Sequence, residues 1–196
     1  MFYGFAKFVC RAALLLLRRW KVIGNGHLPP GQGMIVVANH VSYWDPIVVG
    51  CALNRRICFM AKAELFDIPV LGLIITKLGA FPVQRDGADR SSIRRALELL
   101  DAGEVVGIFP EGTRSKTDEL LNPHMGAAML AIKGGVPLLP VAVSGTRGFW
   151  GKVQINFGQP INTSASNRRK VSRTELAEVS QDVMEKIRHL LAAIEK

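Results

Sequence analysis

From about residue 33 onward, short runs of β-branched and aliphatic residues alternate with longer stretches of helical pattern, and this alternation restricts the fold more than any other feature. Candidate strands cover residues 34–38, 57–61, 80–83, 105–109, 138–143 and 153–157. Helical patterns run between them, near 46–53, 69–78, 92–100 and 125–133. Gly79, Gly103 and Gly134 each follow a helical run, where a left-handed C-cap residue is wanted. Pro46 and Pro69 suit first-turn positions. Strand–helix alternation of this kind predicts an α/β fold, a mixed and largely parallel sheet covered by helices.

The last segment differs in character. Ser172 and Glu175 have the spacing of a capping box, and Leu176, Val179, Val183, Ile187, Leu190 and Ile194 trace one helical face that packs on the domain. Residues 162–170, polar and basic, read as the loop before it. The chain has no internal repeat and no visible boundary, and 196 residues suit one domain with a proper core. Residues 23–196 are therefore expected to form a single domain.

Composition narrows the partners. The formal charge is +9, from 25 Lys and Arg against 16 Asp and Glu, which favours anionic partners. Nucleic acid is set aside, because the basic residues are not interleaved with stacking aromatics and no reading motif is present. An anionic lipid surface fits better, since 48% of the residues are apolar and the cations sit beside apolar stretches. Cys10, Cys51 and Cys58 are odd in number, lack metal-type spacing and lie in apolar surroundings, so a reducing compartment is expected.

Residues 1–22 have their own pattern. Their longest uninterrupted apolar run, 12–17, is far short of the ~20 residues needed to span a bilayer. Arg18-Arg19-Trp20 follows that run instead of preceding it, the reverse of a secretory signal. On a helical wheel Lys7, Arg11, Arg18 and Lys21 fall in one arc, and Phe2, Phe5, Val9, Ala12 and Leu16 share the rest of the circumference. This describes an amphipathic helix lying in the lipid interface with its cations toward anionic headgroups. The alternative is a terminal helix docked on the domain or on a second subunit. Trp20, Trp44 and Trp150 suit a headgroup boundary, although Trp44 also suits packing beside the His40 loop.

In open α/β sheets, ligands bind outside the carboxyl ends of the strands. Three polar clusters fall at such ends: Asn39-His40, Arg85, and Glu111-Gly112-Thr113-Arg114. A neutral imidazole can accept a proton from an alcohol, and a carboxylate fixes its tautomer and steadies the imidazolium. Asp45 stands five residues after His40, and Asp45-Pro46 reads as an N-cap followed by the first helical residue. The pair equally describes a loop histidine beside an ordinary capping aspartate. In 109–115 the apolar strand breaks at Pro110, and Gly112 permits a tight turn. Arg114 offers a planar fork suited to phosphate, and Thr113 and Ser115 add hydroxyls. Glu111 would hold Arg114 or an acceptor hydroxyl. A polar surface turn is the plainer reading of the same residues. His27 and His189 read as exposed, and His124 as a surface or capping residue.

These residues, in this order, resemble the lysophospholipid acyltransferase family, most closely its 1-acylglycerol-3-phosphate acyltransferases. The likeness spans roughly residues 20–160. His40 through Asp45 resembles the family's His-x4-Asp block, and Gly79 through Arg85 resembles the block whose arginine is associated with the acceptor phosphate. Phe109 through Ser115 matches the Glu-Gly-Thr-Arg block, and Val136 through Val143 the hydrophobic block with its proline spacing. Lys62 lies in a segment that in the family often carries a basic residue near the acceptor site; a solvated lysine is the alternative. The resemblance implies transfer of a fatty acyl group from acyl-CoA or acyl-carrier protein to lysophosphatidic acid, giving phosphatidic acid in phospholipid biosynthesis. It implies no metal, no cofactor beyond the acyl donor and no covalent enzyme intermediate. His40 and Asp45 are then the catalytic pair, and Arg85, Lys62, Glu111, Gly112, Thr113 and Arg114 surround the acceptor. The enzyme is expected at the cytoplasmic face of a membrane. Another acceptor, such as glycerol-3-phosphate or a different lysolipid, is the runner-up. A non-catalytic module of the same fold that binds anionic lipid is the reading from a different class.

Overall fold

A strand of five consecutive buried aliphatic residues needs cover on both faces, and this sets the layering of the molecule. Strand β2 (Met34–Ala38) is such a strand, buried at every position. Met34, Val36 and Ala38 enter one hydrophobic core, and Ile35 and Val37 enter another. Each Met, Ile or Val side chain among them contributes about 1.5–3 kcal/mol by leaving water. The computed structural model describes residues 1–84, 89–148, 151–163 and 171–194. Arg85, Trp150 and most of the expected loop at 162–170 lie outside them.

The elements, in chain order, are α1 (Phe2–Leu17), β1 (Lys21–Ile23), β2, α2 (Asp45–Ala52), β3 (Ile57–Lys62), α3 (Leu71–Leu78), β4 (Phe81–Val83), α4 (Arg90–Asp101), β5 (Val105–Ile108), α5 (Gly126–Gly134), β6 (Leu138–Ser144), β7 (Gln154–Phe157) and α6 (Arg173–Ile194). The strands form one mixed sheet in the order β1-β7-β6-β2-β5-β3-β4. β6, β2, β5, β3 and β4 run parallel, with Val36 beside Gly107 and Leu139, and β7 is antiparallel to β6. β1, which hydrophobic patterning does not announce in three residues, pairs parallel with β7 at the far edge. One core lies under α1 and α2, and the other under α4, α5 and α6. Of the expected capping box the serine half forms, the Glu175 N–H donating to Ser172 Oγ at 3.0 Å.

Three local readings change. Gly79 and Gly103 take left-handed backbone as expected, but Gly134 is the last helical residue of α5 and Gly135 holds the left-handed position. α3 begins at Leu71, two residues beyond Pro69. The N-cap of α2 is Trp44, and Asp45 is already helical; its carboxylate is engaged elsewhere.

The largest change concerns α1. The basic stripe does not face outward as one line. Lys7 Nζ donates to the Leu53 carbonyl, and Arg11 lies over the Trp20 ring. Arg18 caps the helix and is 3% exposed, and Lys21 belongs to β1. The outward face is apolar instead: Phe5, Phe8 and Leu16 are 69%, 71% and 83% exposed. The cations satisfy carbonyls and rings of the domain, so α1 docks and leaves its greasy side free. Among the described residues no helix is long and apolar enough to cross a membrane.

Candidate active site

Because β2, β5, β3 and β4 are parallel, their carboxyl ends share one edge. Asn39-His40, the segment from Phe109, and Lys62 all emerge there, which is the condition that the strand-end argument required. Asn39 anchors the edge: its side chain donates to the Val143 carbonyl at 2.9 Å and accepts from the Val143 N–H at 2.8 Å, locking the end of β2 to β6.

His40 and Asp45 meet. His40 Nδ1 lies 2.8 Å from Asp45 Oδ2. The intervening loop wraps round the carboxylate, and the Val41 and Ser42 N–H groups each donate to the same oxygen at 2.7 Å. The Thr146 hydroxyl donates to Asp45 Oδ1 at 2.6 Å. Asp45 is fully buried, and an uncompensated buried carboxylate is very costly. Four donors meet about four lone-pair sites, so this one is compensated. A carboxylate that accepts on Oδ2 puts the proton on Nδ1, leaving Nε2 as the basic nitrogen. Among the described residues Nε2 has no hydrogen-bond partner. The ring stacks on Phe109 with centroids 4.0 Å apart, and Phe109 stacks in turn on Phe59. Gly107 makes that stack possible, since a Cβ there would strike the Phe59 ring.

The second loop follows β5. Pro110 has no N–H to extend the ladder, and the chain turns, with the Gly112 N–H donating to the Phe109 carbonyl at 3.1 Å. Gly112 has φ +67, a backbone conformation that favours glycine, and a Cβ would lie 2.7 Å from the exposed His124 ring, which would have to shift. Glu111 is buried, and its oxygens accept from the His40 N–H at 2.7 Å and the Leu121 N–H at 2.9 Å. Burial pushes its carboxyl above the usual range, against the pull of those two N–H groups. The Ser115 N–H donates back to the His40 carbonyl at 2.8 Å. Glu111 therefore clasps the two loops together, where the sequence suggested that it would hold Arg114 or substrate.

Arg114 and Thr113 are exposed, and the Arg114 guanidinium lies 3.6 Å above the Tyr43 ring. This contact turns the arginine toward the His40 loop. Lys62 ends β3, half exposed and paired with Glu64 at 2.6 Å. Three residues that sequence reasoning passed over also shape the site. Thr146 holds Asp45, Arg18 donates to the Gly145 carbonyl at 2.8 Å, and Arg147 spans to Asp118 and to the Ser115 and Lys116 carbonyls. Thr146 and Arg147 had a usable signal, since Ser144 ends β6 and Gly145-Thr146-Arg147 follows it directly as a polar turn. Ser42 Oγ accepts from the Trp44 N–H in the loop's own turn, away from a nucleophile's task. Cys51 is held at the other extreme of reactivity, its thiol pushed up to about 12 by burial. His27, His124 and His189 are exposed, and His189 lies 3.8 Å from Glu185 on α6.

This geometry sits on a chain with well-described relatives. The acyltransferase family model matches residues 19–144. A 1-acyl-sn-glycerol-3-phosphate acyltransferase of Bacillus subtilis is 33% identical over 194 residues, 96% of either chain. One from Streptococcus pneumoniae is 32% identical and covers 84% of this chain and 64% of its own. The crystal structure of the 1-acyl-sn-glycerophosphate acyltransferase PlsC from Thermotoga maritima superposes with a TM-score of 0.79 at 28% identity, over 99% of this chain and 80% of that one. With the family model matching well over half its length and carrying both site loops, the chain belongs to the acyltransferase family.

Proposed function

We propose that this enzyme transfers a fatty acyl group from a thioester donor, acyl-CoA or acyl-carrier protein, to the free hydroxyl of 1-acylglycerol-3-phosphate, giving phosphatidic acid. The observation that carries the reading is the His40 imidazole, pinned through Nδ1 to Asp45 with Nε2 unpartnered among the described residues, on the loop whose Tyr43 ring carries Arg114. Nε2 takes the proton of the acceptor hydroxyl as its oxygen bonds to the thioester carbonyl carbon. The carbon–sulfur bond then breaks, and the leaving thiolate takes the proton back from the imidazolium. A positioned base of this kind contributes about 10²–10⁴-fold. Arg114 and Arg85 hold the acceptor's phosphate, and the Gly112-Thr113 turn and Lys62 complete its surroundings. That placing converts a bimolecular collision into an aligned one.

In this reading the enzyme works from the cytoplasmic surface of a membrane. Support comes from the outward apolar face of α1 and the exposed Val70, Leu71, Leu73 and Ile74 around α3, two helices in contact with one another. The net charge of +9 suits an anionic leaflet. The test is mass spectrometry of products from a mixture of lysolipids and glycerol-3-phosphate, offered with both donor types. Phosphatidic acid should dominate. A preference for an acceptor lacking a phosphate monoester would overturn the roles of the arginines, and vesicle binding without transfer from any donor would leave a lipid-binding module.

A further inference from the structure

Asp45 has two carboxylate oxygens, and only one belongs to the His40 loop. Oδ2 takes His40, Val41 and Ser42, all within five residues. Oδ1 takes a single partner from 101 residues away, the Thr146 hydroxyl at 2.6 Å. Thr146 is fully buried, so it has no surface to offer a substrate. An O–H···O⁻ bond of that length is a strong, charge-assisted one.

The turn carrying Thr146 is itself fastened on each side. Gly145 has φ +74 and passes so close to the Lys152 carbonyl that a Cβ would collide with it. Its own carbonyl accepts from Arg18 at 2.8 Å, and the Arg18 guanidinium lies over the Trp44 ring, 5.6 Å from its centroid. Arg147 bonds the Ser115 and Lys116 carbonyls of the second loop. The segment 145–147 thus bonds to the end of α1, whose Arg18 lies against the ring of the residue before Asp45, and to the second loop at Ser115. Carboxylates rotate about their last torsion broadly, and a second anchor on the opposite oxygen removes that freedom.

We propose that Thr146 is a positioning residue for the His40–Asp45 pair: its hydroxyl fixes the plane of the Asp45 carboxylate, and through it the direction of His40 Nε2. The inference rests on His40 being the base. It acts on the chemical step and not on substrate binding.

Three substitutions separate the hydroxyl from its packing. Thr146→Val keeps the shape and loses the hydroxyl, Thr146→Ser keeps the hydroxyl and loses the methyl, and Thr146→Ala loses both. With lysophosphatidate and an acyl thioester, Val and Ala should lower kcat about tenfold or more at unchanged KM for either substrate, the effect expected of one lost bond to a charged group. Ser should stay near the wild-type rate. If Val alone fails to fold, Ser against Ala decides the matter, since they differ only in the hydroxyl. Wild-type kcat in Val or Ala, equal losses in Ser and Ala, or a change confined to KM would each overturn the proposal. His40→Ala measured alongside keeps the two claims apart: activity there sinks the base, whereas inactivity there with a wild-type Thr146→Val sinks only Thr146.

Discussion

Asp45 and Glu111 are buried carboxylates held by hydrogen-bond donors, and neither forms an ion pair with a lysine or arginine among the described residues. Backbone N–H groups and a hydroxyl compensate the charge without the looseness of a long cationic side chain, so the loops they hold are stiff. Arg114 is the opposite case, exposed and, among the described residues, steadied by the Tyr43 ring, a contact worth about 0.5–1 kcal/mol at an open site. Its planar fork suits both the ring and a phosphate, and a lysine ammonium reproduces neither. Arg114→Lys should therefore raise KM for lysophosphatidate about tenfold or more while leaving the donor's KM alone, as losing one charged hydrogen bond implies. Steady-state kinetics with each substrate varied in turn decide it. An unchanged acceptor KM would take Arg114 out of the phosphate site.

α1 shows how one element serves two neighbours. Its polar groups reach into the domain, Lys7 to the end of α2 and Arg18 over the Trp44 ring. Phe5, Phe8, Leu15, Leu16 and Leu17 point away from it, whereas Leu14 is buried in the core. In the proposed membrane reading, a helix oriented in this way would meet lipid through apolar area first and charge second. Replacing Phe5, Phe8 and Leu16 together by Glu should cut co-sedimentation with vesicles by about 10²-fold or more, since each buried side chain is worth about 1.5–3 kcal/mol. Melting should barely change, because these side chains touch little of the domain. Vesicle binding by the wild type should also survive raised salt, which screens surface charge. Full binding by the triple variant would show that the membrane surface lies elsewhere.

For the whole molecule, the legible parts were those written in local pattern. The bounds of β2 follow from a buried aliphatic run, and the shared strand-end edge follows from parallel strands separated by helices. The spacing of His40 and Asp45 alone described an ordinary capping aspartate equally well, and it was the ordered company of Arg85 and the Glu111–Arg114 turn, in the resemblance to a family, that singled the pair out. Long-range partners were not. Thr146 lies 101 residues from the carboxylate it holds, and Glu111 lies 71 residues from the His40 N–H, and no spacing rule reaches that far. The direction of the α1 cations was hidden for a related reason. A wheel groups residues by face, and which face meets the domain depends on carbonyls and rings contributed by other elements.

The proposed acyl transfer depends on His40 Nε2 as the base. The direct test is the rate at which His40→Ala converts lysophosphatidate and an acyl thioester to phosphatidate, with melting measured on the same preparation. The structure predicts a loss of about 10²-fold or more in kcat in a protein that melts like the wild type. A folded His40→Ala enzyme turning over at near the wild-type rate would contradict it.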